Sequence, residues 1–208
     1  MTTVTLSKEG IQLPDNVLIQ EYLETQDAAY FSAIYDRYAN KIYSKCYSLL
    51  KDTALAEDAT QDIFTKIFLR MSSFNQKSQF STWVYSITHN YCIDYLRKQR
   101  KKWSSDDDEQ QQELLDKVVD TDDSIKEKEL LELELDKLAQ ALDRLSPEDK
   151  SVLLMKYKDD LSIKDICDVL DKSESAVKMK LKRARERAKD EYDKIIVLFV
   201  IFYILESM

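Results

Sequence analysis

The sequence predicts an all-α protein in which two small helical domains are joined by an acidic, flexible linker and the second domain contains a helix-turn-helix. Apolar residues recur at helical spacing on both sides of the linker. Sheet proteins need turn residues at many corners, whereas the 208 residues here include one glycine and two prolines. A hydrophobic content of 44% is enough to build a core in each domain.

Four helices are predicted in the N-terminal domain, residues 1–103. Asp15, Asp27 and Ser81 are expected to cap the first, second and fourth helices, and Asp52 or Thr53 to start the third. The inward residues of the second helix are expected to be Phe31, Ile34, Tyr38, Ile42, Cys46 and Leu49. Those of the third are Ile63, Phe64, Ile67, Phe68 and Met71, and those of the fourth are Trp83, Val84, Ile87, Tyr91 and Tyr95. This spacing predicts a helical bundle.

The acidic linker, residues 104–128, separates two basic segments. Fourteen acids and three lysines give Ser104–Asp136 a net charge of −11, so the rest of the chain carries +3 of the total of −8. Arg97–Lys102 carries +5 and Lys178–Lys189 carries +6. Charge runs are usually solvated surface, but this division of charge favours nucleic-acid binding.

The C-terminal domain, residues 129–194, is predicted to end in a helix-turn-helix. A helix that begins near Ser124 repeats leucines at Leu131, Leu135, Leu138, Leu142 and Leu145. Ser146 caps the next helix, which buries Val152, Leu153 and Met155, and Ser162 caps a short third one. The last helix buries Val177, Leu181, Ala184 and Ala188. Asp171 takes the turn position that glycine usually fills, and aspartate tolerates a left-handed backbone.

The second helix of such a motif can enter the major groove of DNA. Its first residues would meet base edges and its basic residues would meet phosphates. The candidate residues are Ser173, Glu174, Ser175, Lys178, Lys180, Lys182, Arg183 and Arg185. A solvated basic helix is the simpler alternative.

An apolar tail, residues 195–208, follows the basic helix. Eleven unbroken apolar residues, Ile195–Leu205, would span about 16 Å as a helix, which is roughly half of a hydrocarbon core. The segment is therefore expected to pack on its own domain or on a protein partner, with shallow membrane association as an alternative.

Nothing in the sequence indicates an enzyme, a metal site or a cofactor. It contains no phosphate-binding loop, and its single histidine makes histidine-based catalysis improbable. His89 and Cys92 could share a helix face, but no second pair completes a tetrahedral metal site. Three scattered cysteines without a signal peptide indicate a cytoplasmic location.

Four polar residues, Asp58, Gln61, Asp62 and Thr65, form a stripe along the third helix, opposite Ile63 and Ile67. Its periodicity alone does not distinguish it from an ordinary exposed face. The pattern of Asp58, Gln61, Asp62 and Phe64, however, resembles the core-polymerase-binding motif of bacterial sigma factors. Phe80–Lys102 resembles their promoter-melting helix, and Leu142–Tyr192 resembles their −35-reading domain. Order and size are those of the extracytoplasmic function (ECF) group.

The resemblance implies a role for each segment. Asp58, Gln61, Asp62 and Phe64 would bind core RNA polymerase. The loop Ser72–Gln79 would capture a base flipped from the −10 element, with aromatic walls and polar side chains for the base edges. The residues expected at −10 DNA are Phe74, Asn75, Gln76, Gln79, Asn90, Arg97, Lys98 and Lys101. Asp94, on the same side of the helix, would instead form a salt bridge with Arg97 or Lys98.

The expected function is therefore transcription initiation, through core polymerase binding, recognition of −35 and −10 elements, and promoter melting. An anti-sigma factor or signalling protein is a possible partner for the apolar tail. The linker either occupies the polymerase channel as a nucleic-acid mimic or only stays soluble and extended. Two other functions stay open: a helix-turn-helix regulator that acts without polymerase, and a helical protein-binding adaptor.

Overall fold

The structure, a computed structural model, describes residues 12–76, 78–103 and 126–206, and in 101–103, 126–131 and 198–206 it describes the backbone alone. Most of the predicted linker lies outside these ranges. The described residues are helical and contain no β-strand, which confirms the all-α prediction. The helices are α1 (Asp15–Thr25), α2 (Ala28–Leu50), α3 (Thr53–Arg70), α4 (Phe80–Trp103), α5 (Lys126–Asp143), α6 (Pro147–Leu153), α7 (Ile163–Leu170) and α8 (Glu174–Glu206).

The chain packs as two compact units. The first unit comprises Met1–Arg97 and Lys164–Lys172, and the second comprises Lys98–Ile163 and Ser173–Met208. The domain boundaries expected from the sequence stay a prediction.

In the first unit, α2 packs against both α1 and α3. The most deeply buried large side chains of this unit are Leu18, Ile34, Ile63, Ile67 and Met71. The Thr82 hydroxyl of α4 donates a hydrogen bond to the Asp165 carboxylate of α7, at 3.3 Å. These contacts place the exposed side of α3 on the surface of the unit, opposite its buried isoleucines.

Polar caps define the ends of the helices in this unit. Asp27 accepts a hydrogen bond from the Ala29 N–H, and Asp52 accepts one from the Leu55 N–H at 2.8 Å, which confirms both predicted caps. The prediction that Asp15 caps the first helix is wrong. Asp15 lies inside α1, and its carboxylate accepts hydrogen bonds from two side chains of α2 instead.

Two further expectations for this unit are wrong. The fourth helix begins at Phe80, one residue before the predicted cap Ser81, and the Gln79 carbonyl accepts the hydrogen bond from the Trp83 N–H. Phe68, expected inward, has 48% of its surface exposed. It lies at the edge of the buried face, where its ring meets the rings of Tyr22 and Phe31.

The second unit is built by α5 and α6 packing against α8. Ser146 accepts a hydrogen bond from the Asp149 N–H at 3.1 Å, as the capping pattern predicts. Three core residues were predicted for α6 and the segment that follows it. All three are buried: Val152, Leu153 and Met155. Leu135 and Leu138 of α5 are exposed, so the predicted leucine stripe is buried only in part.

The last helix is longer than the sequence suggests. Val177, Leu181 and Ala184 are buried as predicted, and Ala188 is half-buried. The helix then continues without a break to Glu206, so the basic segment and the apolar tail form one element. In the part of the chain that the structure describes, no helix has the length and apolar content needed to cross a membrane.

Candidate functional site

The polar stripe on α3 is a continuous exposed surface. Asp58, Gln61, Asp62 and Thr65 all lie exposed, whereas Ala59, Ile63 and Ile67 on the other side of the helix are buried. Helical spacing brings the four polar side chains to one side because residues three and four apart are neighbours on a helix. The stripe predicted from the sequence therefore exists as a surface.

Asp62 is the member of the stripe that another helix orients. The Tyr91 hydroxyl of α4 donates a hydrogen bond to Oδ2 of Asp62, at 2.6 Å. The Lys66 ammonium lies 4.5 Å from the centre of the Tyr91 ring. Burial raises the pKa of the Tyr91 phenol, and the hydrogen bond to the Asp62 carboxylate raises it further.

Phe64 does not offer its ring to solvent. Only 5% of the residue is exposed, and its ring packs against the ring of Tyr35, with 4.4 Å between the centroids. Tyr35 itself is 44% exposed, so it supplies the aromatic surface beside the stripe. Sequence periodicity did not indicate this residue, because Tyr35 lies on a different helix from the motif.

The stripe continues toward the end of α3 as an apolar surface. Phe68 lies three residues after Thr65, and Leu69 next to it is 70% exposed. Both residues were missed as surface, although a spacing of seven from Gln61 and Asp62 is the signal that could have indicated them.

Three aromatic rings cluster where the loop before α4 meets the first turn of that helix. The ring of Phe74 lies 5.3 Å from that of Phe80 and 5.4 Å from that of Trp83, and Phe80 and Trp83 are 5.5 Å apart. Phe80 is buried and supports the cluster, whereas Phe74 and Trp83 are half-buried. A half-buried ring on a fixed support is a surface on which a nucleic-acid base can stack.

Three polar residues lie on the same loop as Phe74. Asn75, Gln76 and Gln79 are all exposed, and Gln76 has a left-handed backbone with φ of 56°. The predicted base-reading amides are thus exposed on the loop that carries Phe74 and leads into Phe80. Trp83, expected to point inward, is an additional ring that the sequence did not assign to this surface.

Further along α4, the polar residues predicted to meet duplex DNA are exposed. They are Asn90, Arg97 and Lys98. Arg97 forms an ion pair with Asp94 at 3.6 Å, which confirms the salt bridge expected for this acid. The side chain of Lys101 lies outside the described residues.

The start of α8 follows a turn in which Asp171 has φ of 50°, so the aspartate adopts the left-handed backbone that the sequence predicts. The Ser173 hydroxyl accepts a hydrogen bond from the Ala176 N–H at 3.4 Å and lies 3.2 Å from that of Ser175. Glu174 pairs with Lys178 at 2.5 Å, and this hydrogen bond lowers the pKa of Glu174. Ser173 thus caps the helix.

The basic residues of α8 differ in exposure. Lys178, Lys182, Arg183 and Arg185 are exposed, whereas Lys180 is half-buried. The exposed set can reach phosphates, because long cationic side chains on a helix surface meet the DNA backbone.

Asp149 ties α8 to α6 within the second unit. It is 4% exposed, and its carboxylate accepts a hydrogen bond from Arg187 at 2.5 Å and from the Ser146 hydroxyl at 2.9 Å. The Lys180 ammonium lies 3.8 Å from the other carboxylate oxygen. Sequence reasoning assigned Asp149 only to the cap, because its partners are more than thirty residues away.

Family comparisons match both halves of the chain. Residues 34–102 match the model described as Sigma-70 region 2, and residues 135–187 match the one described as Sigma-70, region 4. The first match contains the α3 stripe and the aromatic loop, and the second contains the basic start of α8.

Comparison with individual proteins agrees with these family matches. The ECF RNA polymerase sigma factor SigW of Bacillus subtilis (strain 168) is 32% identical over 165 residues, which cover 77% of this chain and 87% of SigW. In fold, the chain is similar to the sigma factor RpoE from Bartonella quintana, solved with the anti-sigma factor NepR. The TM-score is 0.58 at 19% identity, over 78% of this chain and 96% of RpoE. It is also similar to CnrH, solved with the cytosolic domain of CnrY, with a TM-score of 0.60 at 18% identity over 86% and 97% of the two chains.

Proposed function

The chain belongs to the ECF group of RNA polymerase sigma factors, and we propose that three surfaces described above carry out its work. Its function is promoter recognition and transcription initiation with RNA polymerase. The proposal assigns this function to particular residues. The observation that carries it is exposure: the candidate polar and basic side chains that the structure describes lie on the surface, with Lys180 half-buried, and the aromatic rings form a supported cluster.

The α3 stripe is the proposed contact for core polymerase. Asp58, Gln61 and Asp62 supply acceptors and an amide, and Phe68 and Leu69 extend the contact with apolar area. Phe64 contributes indirectly, because its buried ring packs against the exposed ring of Tyr35. A mixed polar and apolar surface fits a complex that must dissociate after initiation better than a permanent one.

The aromatic loop is the proposed site for a base of the −10 element. Phe74 would stack on the flipped base while Asn75, Gln76 and Gln79 meet its edges. Stacking of a base on an aromatic ring is worth about 1–3 kcal/mol, which offsets part of the cost of unpairing. Asn90, Arg97, Lys98 and Lys101 would hold the adjoining duplex.

The start of α8 is the proposed reader of the −35 element. Glu174, Ser175 and Lys178 would face base edges, with Ser173 fixing the start of the helix. Lys182, Arg183 and Arg185 would contact phosphates, and Lys180 would contribute less because Asp149 holds it.

We further infer that the chain supplies no catalytic chemistry itself, since the polymerase forms the phosphodiester bonds, and that it acts in the cytoplasm, where chromosome and polymerase meet. An anti-sigma factor or signalling protein is the proposed partner for the apolar segment Ile195–Leu205. Solved structures of similar fold contain NepR or the cytosolic domain of CnrY.

Transcription in a purified system tests the proposal. Core polymerase, this chain and promoter DNA should yield a defined transcript. Phe74→Ala should reduce promoter melting, seen as permanganate-reactive thymines, while leaving closed-complex formation nearly unchanged. Arg183→Ala should weaken closed-complex formation instead.

The outcomes separate the functions. Sequence-specific DNA binding that core polymerase neither needs nor converts into transcription would indicate a regulator. A chain that binds neither DNA nor polymerase would indicate a protein-binding adaptor. A Phe74→Ala variant that melts the promoter normally would remove the loop from the proposed site.

A further inference from the structure

Asp62, Tyr91 and Lys66 form a compact group on the surface of the first unit. Asp62 and Lys66 lie on α3, and Tyr91 reaches them from α4. The Tyr91 hydroxyl donates to Oδ2 of Asp62 at 2.6 Å, and its ring receives the Lys66 ammonium at 4.5 Å. One side chain thus contacts both charged neighbours.

The spacing of the two charges makes this arrangement informative. Asp62 and Lys66 are four residues apart, which is the distance at which an acid and a lysine on a helix usually pair. In the described part of the chain no such ion pair forms, because the ammonium lies over the Tyr91 ring instead. The lysine therefore contacts Tyr91 and does not pair directly with the carboxylate.

The hydrogen bond also leaves the carboxylate able to accept another donor. An ionised carboxylate has two oxygens, each of which accepts hydrogen bonds. Tyr91 occupies Oδ2, so Oδ1 stays available to an N–H donor on a partner. A side chain that is held in its bound conformation before association loses less entropy when the complex forms.

We propose that Tyr91 is a positioning residue of the polymerase interface: it orients the Asp62 carboxylate and holds Lys66 away from a direct ion pair, so that Asp62 meets core polymerase as an oriented anion. This inference depends on the proposed role of Asp62 in polymerase binding. It adds a residue from α4 to a surface that the sequence pattern confined to α3.

The test is a double-mutant cycle on the full-length chain, with core RNA polymerase affinity measured by competition against a fluorescent sigma factor. Tyr91→Phe removes only the hydroxyl and keeps the ring for Lys66. We expect binding about threefold to tenfold weaker, because one ordered side chain becomes free. Asp62→Asn should weaken binding by at least about tenfold. Tyr157→Phe, at an exposed tyrosine of the second unit, is the control for the loss of a phenol hydroxyl and should bind like the parent chain.

The double variant Tyr91→Phe/Asp62→Asn is the decisive measurement. If Tyr91 acts through Asp62, the double variant should bind like Asp62→Asn alone, within about twofold. Tyr91→Phe also removes a hydrogen bond between α3 and α4, so we expect its midpoint of thermal unfolding to fall by a few degrees. Binding is measured well below that midpoint, and a loss of affinity that disappears in the Asp62→Asn background is one that a purely structural role for Tyr91 would not produce.

Each other result contradicts a different claim. If Asp62→Asn weakens binding but Tyr91→Phe does not, the inference about Tyr91 is wrong and the polymerase interface stands. If Tyr91→Phe weakens binding equally with and without Asp62, Tyr91 does not act through this carboxylate. If Asp62→Asn binds normally, the assignment of Asp62 to the interface is itself wrong.

Discussion

Several aspartates among the described residues accept hydrogen bonds from side chains of a different helix, and three of them matter most here. Asp15 of α1 accepts from Arg37 and Tyr38, Asp62 from Tyr91, and Asp149 from Arg187. In each case a carboxylate joins two helices at a defined register, which apolar contacts alone specify less sharply. Charge-assisted hydrogen bonds of this kind are stronger than neutral ones.

The Asp15 contacts also change the chemistry of their partner. Burial raises the pKa of the Tyr38 phenol, and the hydrogen bond to Asp15 raises it further. The phenol thus stays protonated and keeps donating, so the link between α1 and α2 holds well above neutral pH.

Replacing Asp149 by alanine should destabilise the second unit. The change removes the carboxylate that accepts from the Ser146 hydroxyl at the start of α6, and it leaves Lys180 and Arg187 without their shared acid. Because Asp149 is buried while Arg187 is more than half exposed, we expect a loss of about 2–3 kcal/mol in the free energy of unfolding. Urea denaturation followed by far-UV circular dichroism measures it.

Glu186 provides the control for this prediction. It pairs with Lys182 at 3.9 Å on an exposed face, so Glu186→Ala should change stability by no more than about 0.5 kcal/mol. Equal losses for the two variants would mean that Asp149 is no more than a surface charge.

At the scale of elements, α3 has two different sides. One side carries core residues such as Ile63 and Ile67, and the other carries the proposed polymerase contact. The helix must therefore be stable from its first turn, since Asp58 lies only five residues from its start. The cap Asp52 thus supports that surface indirectly, by stabilising the first turn of the helix that carries it.

Asp52→Ala should lower the free energy of unfolding by about 1 kcal/mol, the usual cost of losing a helix cap. Asp36→Ala, an exposed acid inside α2, should be neutral or slightly stabilising because alanine favours helix interiors. Thermal unfolding of both variants and the parent chain compares them. A midpoint as low for Asp36→Ala as for Asp52→Ala would contradict the capping role.

Most elements follow from sequence periodicity and caps, because these depend on neighbours in the chain. Most of the buried faces of α2, α3 and α8 were predicted correctly for this reason, with Phe68 as the exception on α3. The caps Asp27 and Ser146 were predicted as well, and Asp52 was one of the two residues predicted to start α3. Asp15 was assigned wrongly because its partners lie over twenty residues away. Periodicity likewise did not show that Tyr35 covers Phe64 or that Tyr91 reaches Asp62, since both contacts join different helices.

At the scale of the whole molecule, charge is divided along the chain more strongly than the total of −8 suggests. Ser104–Asp136 carries −11, while Lys178–Lys189 carries +6. Opposite charges on one chain attract at low salt, and the attraction weakens as the screening length falls to about 10 Å at 0.1 M. We therefore predict that the acids compete with DNA for the basic helix at low salt.

Replacing Asp106–Glu109 by serines should raise the affinity for non-specific duplex DNA at low salt. We expect an increase of about threefold to tenfold that shrinks as salt is added. Fluorescence anisotropy with a random duplex measures it. Replacing Gln110–Gln112 by serines is the uncharged control and should have no effect, and an unchanged affinity for the acid variant would show that the linker does not compete with DNA.

The unbroken course of α8 has a mechanical consequence. Its 33 residues make a rod of about 50 Å that runs from the proposed DNA-reading end to Glu206. If such a rod tilts by about 10°, one end moves by roughly 8 Å relative to the other. This displacement is larger than the rise between successive base pairs along the DNA axis. A protein bound to the C-terminal end of α8 would therefore act at a distance. By tilting the helix, it would move the proposed DNA-reading residues out of the major groove without contacting any of them.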